Sequence, residues 1–465
     1  MKHKINLALL TILGVFINGC SLLAPDRPDP IVDIPASFQF GEIQVESNLP
    51  YIAWWQKFDD KNLNQLIESG LVANNSIAEA KANIHSAQGQ LKSIELSWIP
   101  SISLFAGIFN MYPILPQPQS FYGGFAGYDS LNIFSQIAKQ KSAKINLEAK
   151  QEAFKGTKLD VITNIAIAYY TLISQEAQLK LYQQYVNDII EQINIHQKRK
   201  NGGLANTAEG IPLEQNLKQA KSQLKSIENN IIVSRNALNY LLNRNPGTAI
   251  LTSDFNNTKT PYANLTSTPA SVIGNRPDIK VAALQFKVAA QNITATYTEL
   301  LPSFQLLYGP SQLLTGGLPG MPDGSYVDFQ SEFVNWSLKP SIFGDVEKYE
   351  GSEKYYYANY IDSVRKALRD VSNDLASNNI TNERYRLTQS AAADATRKYS
   401  YTYNMYKTGL KAYSDTLQDK ITQDEALISV NQMKLSQMHA IISLYKDLGG
   451  GHRFNESEVI SSTTK

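Results

Sequence analysis

The chain has 465 residues, enough for two or three ordinary domains. Its 43 Lys and Arg against 42 Asp and Glu leave a formal net charge of +1, a balance that implies no nucleic-acid or polyanion surface. Charged residues are only 18% while Tyr numbers 25, a polar, weakly charged makeup suited to a wall with water on one side and lipid on the other.

Residues 1–19 have the layout of a secretory signal: Lys2 and Lys4, an apolar run over 5–17, then Asn18 and Gly19. That run is too short for a stable transmembrane helix, which needs about 20 apolar residues. Cys20, the only cysteine, closes it, so no internal disulfide can form. Ile17-Asn18-Gly19-Cys20 resembles a bacterial lipoprotein box, so a covalent lipid is expected on Cys20. Ser21 stands where an Asp would favour inner-membrane retention, which points to the outer membrane. A lipidated N-terminal segment is expected over 20–61 and a disordered tail over 451–465, which is polar from Asn455 onward.

Between them the chain reads as two copies of one plan, 62–265 and 266–450. Pro100-Ser101 returns as Pro302-Ser303, Ile133-Phe134 as Ile342-Phe343, and Gly203-Leu204 as Gly409-Leu410, all at nearly one spacing. Each copy predicts a helix, two strands, a long helix, a tight turn and a helix. The first helix is expected over 62–97, and its counterpart from Pro277 to residue 300, with Pro277 suited to a first helical position. Pro100 and Pro302 stop these helices. Strands are expected over 101–112 and 121–134, then over 303–308 and 326–342, with a bulge near Phe333 and Val334. The Pro- and Gly-rich stretches 113–120 and 310–325 read as surface loops.

Residues 138–200 contain no Pro, and Ile165, Leu172, Leu179, Val186 and Ile193 recur every seventh residue. Ile361, Val364, Leu368, Val371 and Leu375 repeat the stepping in the second copy. A helix of roughly 60 residues is about 90 Å long, some three bilayer cores, so it must stand in the periplasm. Two hairpins give four strands, too few to close a barrel, since the smallest have about eight. The chain must therefore share one; a trimer, with twelve strands, is the smallest plausible ring.

Several stretches together resemble the TolC/OprM type of outer-membrane efflux protein, including the NodT-type lipoproteins of resistance-nodulation-division systems. They are Trp54-Trp55-Gln56-Lys57-Phe58-Asp59-Asp60, Asn275-Arg276-Pro277-Asp278-Ile279, Asn236-Ala237-Leu238-Asn239-Tyr240-Leu241-Leu242, Tyr406-Lys407-Thr408-Gly409-Leu410, and Leu444-Tyr445-Lys446-Asp447-Leu448-Gly449-Gly450-Gly451. The resemblance implies an α+β membrane protein of trimeric TolC-like fold: a shared 12-stranded β-barrel in the outer membrane over a periplasmic α-helical coiled-coil barrel. It implies partners as well, a periplasmic adaptor and an inner-membrane pump. The chain would be the exit duct of a tripartite pump for small toxic compounds; a protein-secretion duct or a non-conducting lipid-anchored scaffold are the alternatives.

The periplasmic mouth is expected at the turns 201–210 and 408–415, with Gly202, Gly203 and Gly409 at the tips. Asp415 and Asp419, four residues apart, are candidate gate carboxylates. The family often carries Leu, Asp and Arg along this constriction; here Ser414, Gln418 and Ile421 align with them, so the usual Asp is displaced and the Arg absent. Trp54 and Trp55 read as packing residues or as interface anchors. Phe105, Phe109, Tyr112, Phe121 and Tyr122 are candidates for an aromatic girdle. The five histidines form no metal-protease motif and the chain carries no nucleophile elbow or phosphate loop, so no catalytic residue, metal or cofactor beyond the lipid is expected.

Overall fold

The structure, a computed structural model, describes residues 32–38, 49–99, 101, 103–109, 120–261, 269–308, 311–313, 326–327, 334–335 and 339–454. The signal region 1–19, Cys20, Pro100, Tyr112, the stretch 315–324 and residues 455–465 of the expected tail lie outside them, whereas residues 451–454 of that tail are ordered and His452 is buried.

The helices are α1 (Lys61–Ala73), α2 (Asn75–Leu96), α3 (Ile133–Asn201), α4 (Thr207–Leu241), α5 (Pro269–Asn275), α6 (Pro277–Thr298), α7 (Ser341–Lys407) and α8 (Tyr413–Asp447). Strands are β1 (Ser103–Phe109), β2 (Ser120–Leu131), β3 (Ser303–Tyr308), β4 (Ser311–Leu313), β5 (Tyr326–Val327) and β6 (Val334–Asn335). The single helix expected over 62–97 is broken. Asn74 adopts an extended backbone, its Oδ1 accepts from Ser76 N at 2.9 Å, and its Nδ2 donates to Leu241 O at 2.7 Å. One asparagine thus ends α1, caps α2 and ties both to α4. The last expected strand, 326–342, also ends early, because Ile342 is already in α7. Among the described residues no helix is long and apolar enough to cross a membrane.

The described residues form two compact units. One comprises 83–151 and 280–363 and holds every strand. β2 is its axis: β1 pairs antiparallel along one edge, while β3 and β4 pair with successive parts of the other. β6 then pairs with β3, and β5 with β4. Part of the loop expected over 310–325 is therefore strand. β3 and β4 occupy one ribbon position and β5 and β6 the next, so the antiparallel sheet has four positions, two from each copy of the repeat. The girdle candidates Phe105, Phe109, Phe121 and Tyr122 lie on β1 and β2, whose side chains fall outside the description. Asn132 joins the two copies beneath the sheet. Its Oδ1 accepts from Ser135 N at 3.0 Å, starting α3, and its Nδ2 donates to Thr298 O and Leu301 O at 2.9 and 3.2 Å.

The other unit comprises 33–82, 152–279 and 364–454 of the described residues. Its core follows the predicted seven-residue period. Ile165, Leu172 and Val186 of α3 are buried, while Leu179 and Ile193 are half-buried. Val364, Val371 and Leu375 of α7 are buried with them, as are Ile441, Ile442 and Leu444 of α8. α8 lies against α3, where Asn431 Nδ2 donates to Ser174 O and Ser174 Oγ at 3.1 Å. It also lies against α7, where Gln423 Nε2 donates to Thr396 Oγ1 at 3.0 Å. α4 lies on the other side of α3, where Arg235 meets Glu176 at 2.9 Å.

Three of the family-like stretches converge at one place in this unit. The Arg276 guanidinium donates to Asp278 at 2.7 Å, and to the Asp447 carboxylate and carbonyl at 3.2 and 3.0 Å. Gly449, at φ +75, presses on the chain beside it: a Cβ there would stand 2.8 Å from Asn275 O. Trp54 is fully buried and stacks on Tyr445 with centroids 5.2 Å apart. A Cβ on Gly451 would meet both Trp54 and Trp55 within about 3.0 Å. The tryptophans therefore pack the N-terminal segment onto α8; the membrane-interface reading does not hold for them. Asp60 completes the joint: it caps α1 through Asn62 N and Leu63 N, and accepts from Tyr169 Oη at 3.0 Å and Ser253 Oγ at 2.9 Å.

Candidate functional site

The α3–α4 and α7–α8 hairpins end in the same turn. At the first, Gly203 takes φ +74, its N–H donates to Lys200 O at 3.0 Å, and Leu204 N donates to Arg199 O at 2.8 Å. At the second, Gly409 takes φ +77, its N–H donates to Tyr406 O at 2.9 Å, and Leu410 N donates to Met405 O at 2.9 Å. Both are Schellman caps, which need a left-handed residue after the last helical turn. Gly203 and Gly409 fill that position. Gly202 does not: it still donates to Lys198 O in the helical manner. Each glycine is followed by a leucine that is 74% exposed, Leu204 and Leu410. Lys198, Arg199 and Lys200 sit in the last turn of α3 and Lys407 in that of α7, where cations suit the helix dipole.

The gate candidates fall in three different settings. Asp415 is exposed in the first turn of α8, and its contact is Ser414 Oγ at 3.3 Å. Gln418 is exposed too, but its Oε1 accepts from Gln192 Nε2 of α3 at 2.7 Å. Asp419 is buried between Lys398, at 2.8 Å, and Lys411, at 3.0 Å. Burial opposes its charge, yet hydrogen bonds from Lys398, Lys411 and Thr402 outweigh that and hold its carboxyl below the usual range. The two aspartates therefore do not form a matched pair. Asp415 faces water, and Asp419 staples the α7–α8 hairpin.

Around the staple runs a tyrosine ladder. Tyr399, Tyr403, Tyr406 and Tyr413 follow one another with centroids 5.8, 6.3 and 4.9 Å apart. Lys407 lies over the Tyr403 ring at 4.5 Å. Tyr413 Oη donates to Glu191 of α3 at 2.8 Å, and Tyr185 Oη of α3 donates to Glu425 at 2.9 Å. The Glu191 contact and burial push the Tyr413 hydroxyl up to about 12, so it remains a donor at physiological pH. Sequence reasoning missed these cross-links. The tyrosines were visible in the sequence, but nothing in it paired Tyr413 with Glu191. The arrangement holds two helical hairpins rigidly together and exposes their glycine–leucine ends. Among the described residues no cluster of His, Cys, Asp or Glu could hold a metal ion.

Comparison with known proteins fits this layout. The family model described as outer membrane efflux protein matches residues 130–244 and 268–450. The chain belongs to that family. Within the efflux-protein family it is similar to the toluene efflux pump outer membrane protein TtgC of Pseudomonas putida, 24% identical with 96% of each chain covered. It is also similar to the toxin and drug export protein A of Aggregatibacter actinomycetemcomitans, 22% identical over 96% of this chain and 97% of that one. Among solved structures, the open state of the MtrE outer membrane channel of Neisseria gonorrhoeae has the same fold, with a TM-score of 0.81 at 20% identity over 93% of this chain and 98% of that one.

Replacing Asp419 by Ala should destabilise the α7–α8 hairpin by about 1–3 kcal/mol, and Asp415→Ala by less than about 0.5 kcal/mol. Hydrogen exchange of the amides around residues 396–416 reads the difference. The Asp419 contribution is complete above the ordinary carboxylate value and is lost as pH falls through its depressed one, so wild type and Asp419→Ala should converge in strong acid. Equal exchange in the two variants near neutral pH would remove the staple.

Proposed function

We propose that this protein is the outer-membrane exit duct of an efflux pump, working as a closed ring of three copies that passes small toxic compounds out of the periplasm. The observation that carries the ring is the pair of edges each helix layer exposes. Contacts run from α7 to α8, from α8 to α3 and from α3 to α4, so α7 and α4 are the outer members. Each shows apolar side chains to solvent: Ile232, Val233 and Tyr240 on α4, and Ile380, Leu387 and Tyr401 on α7. Ile232 and Ile380 stand almost equally far along their helices from the Gly203 and Gly409 turns. One copy's α4 edge thus fits the next copy's α7 edge, a head-to-tail contact that closes when the rotation suits.

A four-position sheet whose outer strands pair inward only, among the described residues, asks for the same closure. A lipid-anchored scaffold would need no sheet, which favours a duct. The Trp54-Trp55 and Arg276-Pro277-Asp278 stretches, together with the lipid box, favour small-molecule efflux over protein secretion. In the ring, Gly203-Leu204 and Gly409-Leu410 form the periplasmic rim, and their exposed leucines suit an adaptor that meets the rim through apolar contacts. Asp415 lines the mouth as a ring of three carboxylates, an arrangement that favours cations. A pump in the inner membrane supplies the energy, and lipid on Cys20 anchors the N-terminal segment to the outer membrane.

Two experiments test this reading. The Ile232→Cys/Ile380→Cys double variant, oxidised in outer membranes, should give covalent dimers and trimers and nothing larger; monomer alone, or an open ladder, contradicts the ring. Cys20→Ala should abolish incorporation of radiolabelled fatty acid, and persistent label contradicts the anchor.

A further inference from the structure

Between α3 and α8 lies a group of charges that an export duct does not require. Asp188 of α3 and Asp424 of α8 meet across the helix pair with side chains only 17% and 3% exposed. Lys420 donates to Asp424 Oδ1 at 2.6 Å and stands 3.9 Å from Asp188 Oδ2. The two carboxyl groups thus gather at one ammonium. Yet Asp188 Oδ2 and Asp424 Oδ2 are both buried without a donor.

Two ionised carboxylates are poor neighbours in such a place. Both oxygens are acceptors, and their repulsion is strong where water is scarce. A single proton resolves both faults: it supplies the missing donor, and with one acid, one carboxylate and one ammonium the group is neutral. Among the described residues no second cation pairs with either carboxyl group. α3 presents Tyr182, Tyr185 and Glu191, α7 presents Tyr399, and α8 adds Glu425. α4 meets this level through Leu217 and Ala220. Lys420 also lies over the Tyr399 ring at 5.5 Å, which holds the ammonium in place.

We propose that Asp188 and Asp424 share one proton and act as a proton-operated latch, which holds α8 against α3 while the proton is bound and pushes them apart when it leaves. Burial, then the Asp424 carboxyl, raises Asp188 from the ordinary 3.8 to about 7. The folded pair therefore keeps a proton that the unfolded chain gives up in acid. The stability it contributes is greatest below about pH 4, falls as pH rises towards 7, and is level beyond. Its effect on the duct rests on the reading given above: the latch lies on the helices that lead to the rim, so the mouth closes more firmly in an acidified periplasm.

The test uses the full-length protein in detergent and the Asp188→Asn variant, whose amide is a permanent donor to Asp424. The thermal midpoint of wild type should fall between pH 5 and 7.5 more steeply than that of the variant. Asp424→Asn, the reciprocal change, should flatten the curve likewise. A half-buried acid pair, Asp374 and Asp447, sits beside Arg276 at the last residue of α8 and is read separately through Asp374→Asn. In planar bilayers the open probability of wild type should rise with pH by at most about tenfold per unit, the limit for one proton, and that of Asp188→Asn should stay level. Parallel midpoint curves for wild type and both variants overturn the shared proton. Diverging curves with a channel indifferent to pH overturn the latch's hold on the mouth. Diverging curves with no channel at all leave the latch standing and count against the duct reading alone.

Discussion

An unpaired backbone edge cannot face lipid. Each free N–H or C=O in hydrocarbon costs several kcal/mol, because no water is there to replace the missing partner. This chain brings four ribbon positions to its sheet, and the outer two, β1 on one side and β5 with β6 on the other, each pair inward only among the described residues. The helix layer meets the same difficulty in apolar rather than polar terms. Its outer members, α4 and α7, expose leucine, isoleucine, valine and tyrosine side chains where a solvated coiled coil would carry charge. A ring of copies would satisfy both demands at once, and among the described residues the single chain meets neither.

The convergence of Trp54, Arg276 and Tyr445 explains why those stretches have the residues they do. Arg276 neutralises Asp278 and Asp447 and ties the start of the second repeat to the end of α8. Gly449 and Gly451 let the chain end pass where a side chain would collide with Asn275 or the tryptophans. The N-terminal segment is thereby fastened to α8 through stacked rings.

Much of this was legible in the sequence, because the largest features obey short-range rules. The seven-residue period located α3 and α7, Pro302 located the joint between α6 and β3, and the Gly-Leu pairs located the hairpin ends. The break at Asn74 was not legible: it depends on Leu241 O, a partner far along the chain. The strand at Ser311–Leu313 was hidden by its Pro- and Gly-rich setting and is defined by pairing with β2. Helical spacing put Asp415 and Asp419 four residues apart, but it could not reveal that Lys398 and Lys411 would enclose only the second. Asp188 and Asp424 were passed over for the same reason: a carboxylate shows its burial and its partner only once two distant helices are packed.

Ion pairs, tyrosine–carboxylate bonds and the glutamine pair lock α8 to both its neighbours, so motion at the hairpin ends requires breaking specific contacts rather than general softness. The central claim, that copies of this chain close into a conducting ring, is tested most directly by single-channel recording of the purified full-length protein in planar lipid bilayers. Discrete, reproducible conductance steps of one unit size are the predicted result. A purified, stably assembled trimer that inserts and remains silent under every applied voltage would contradict it.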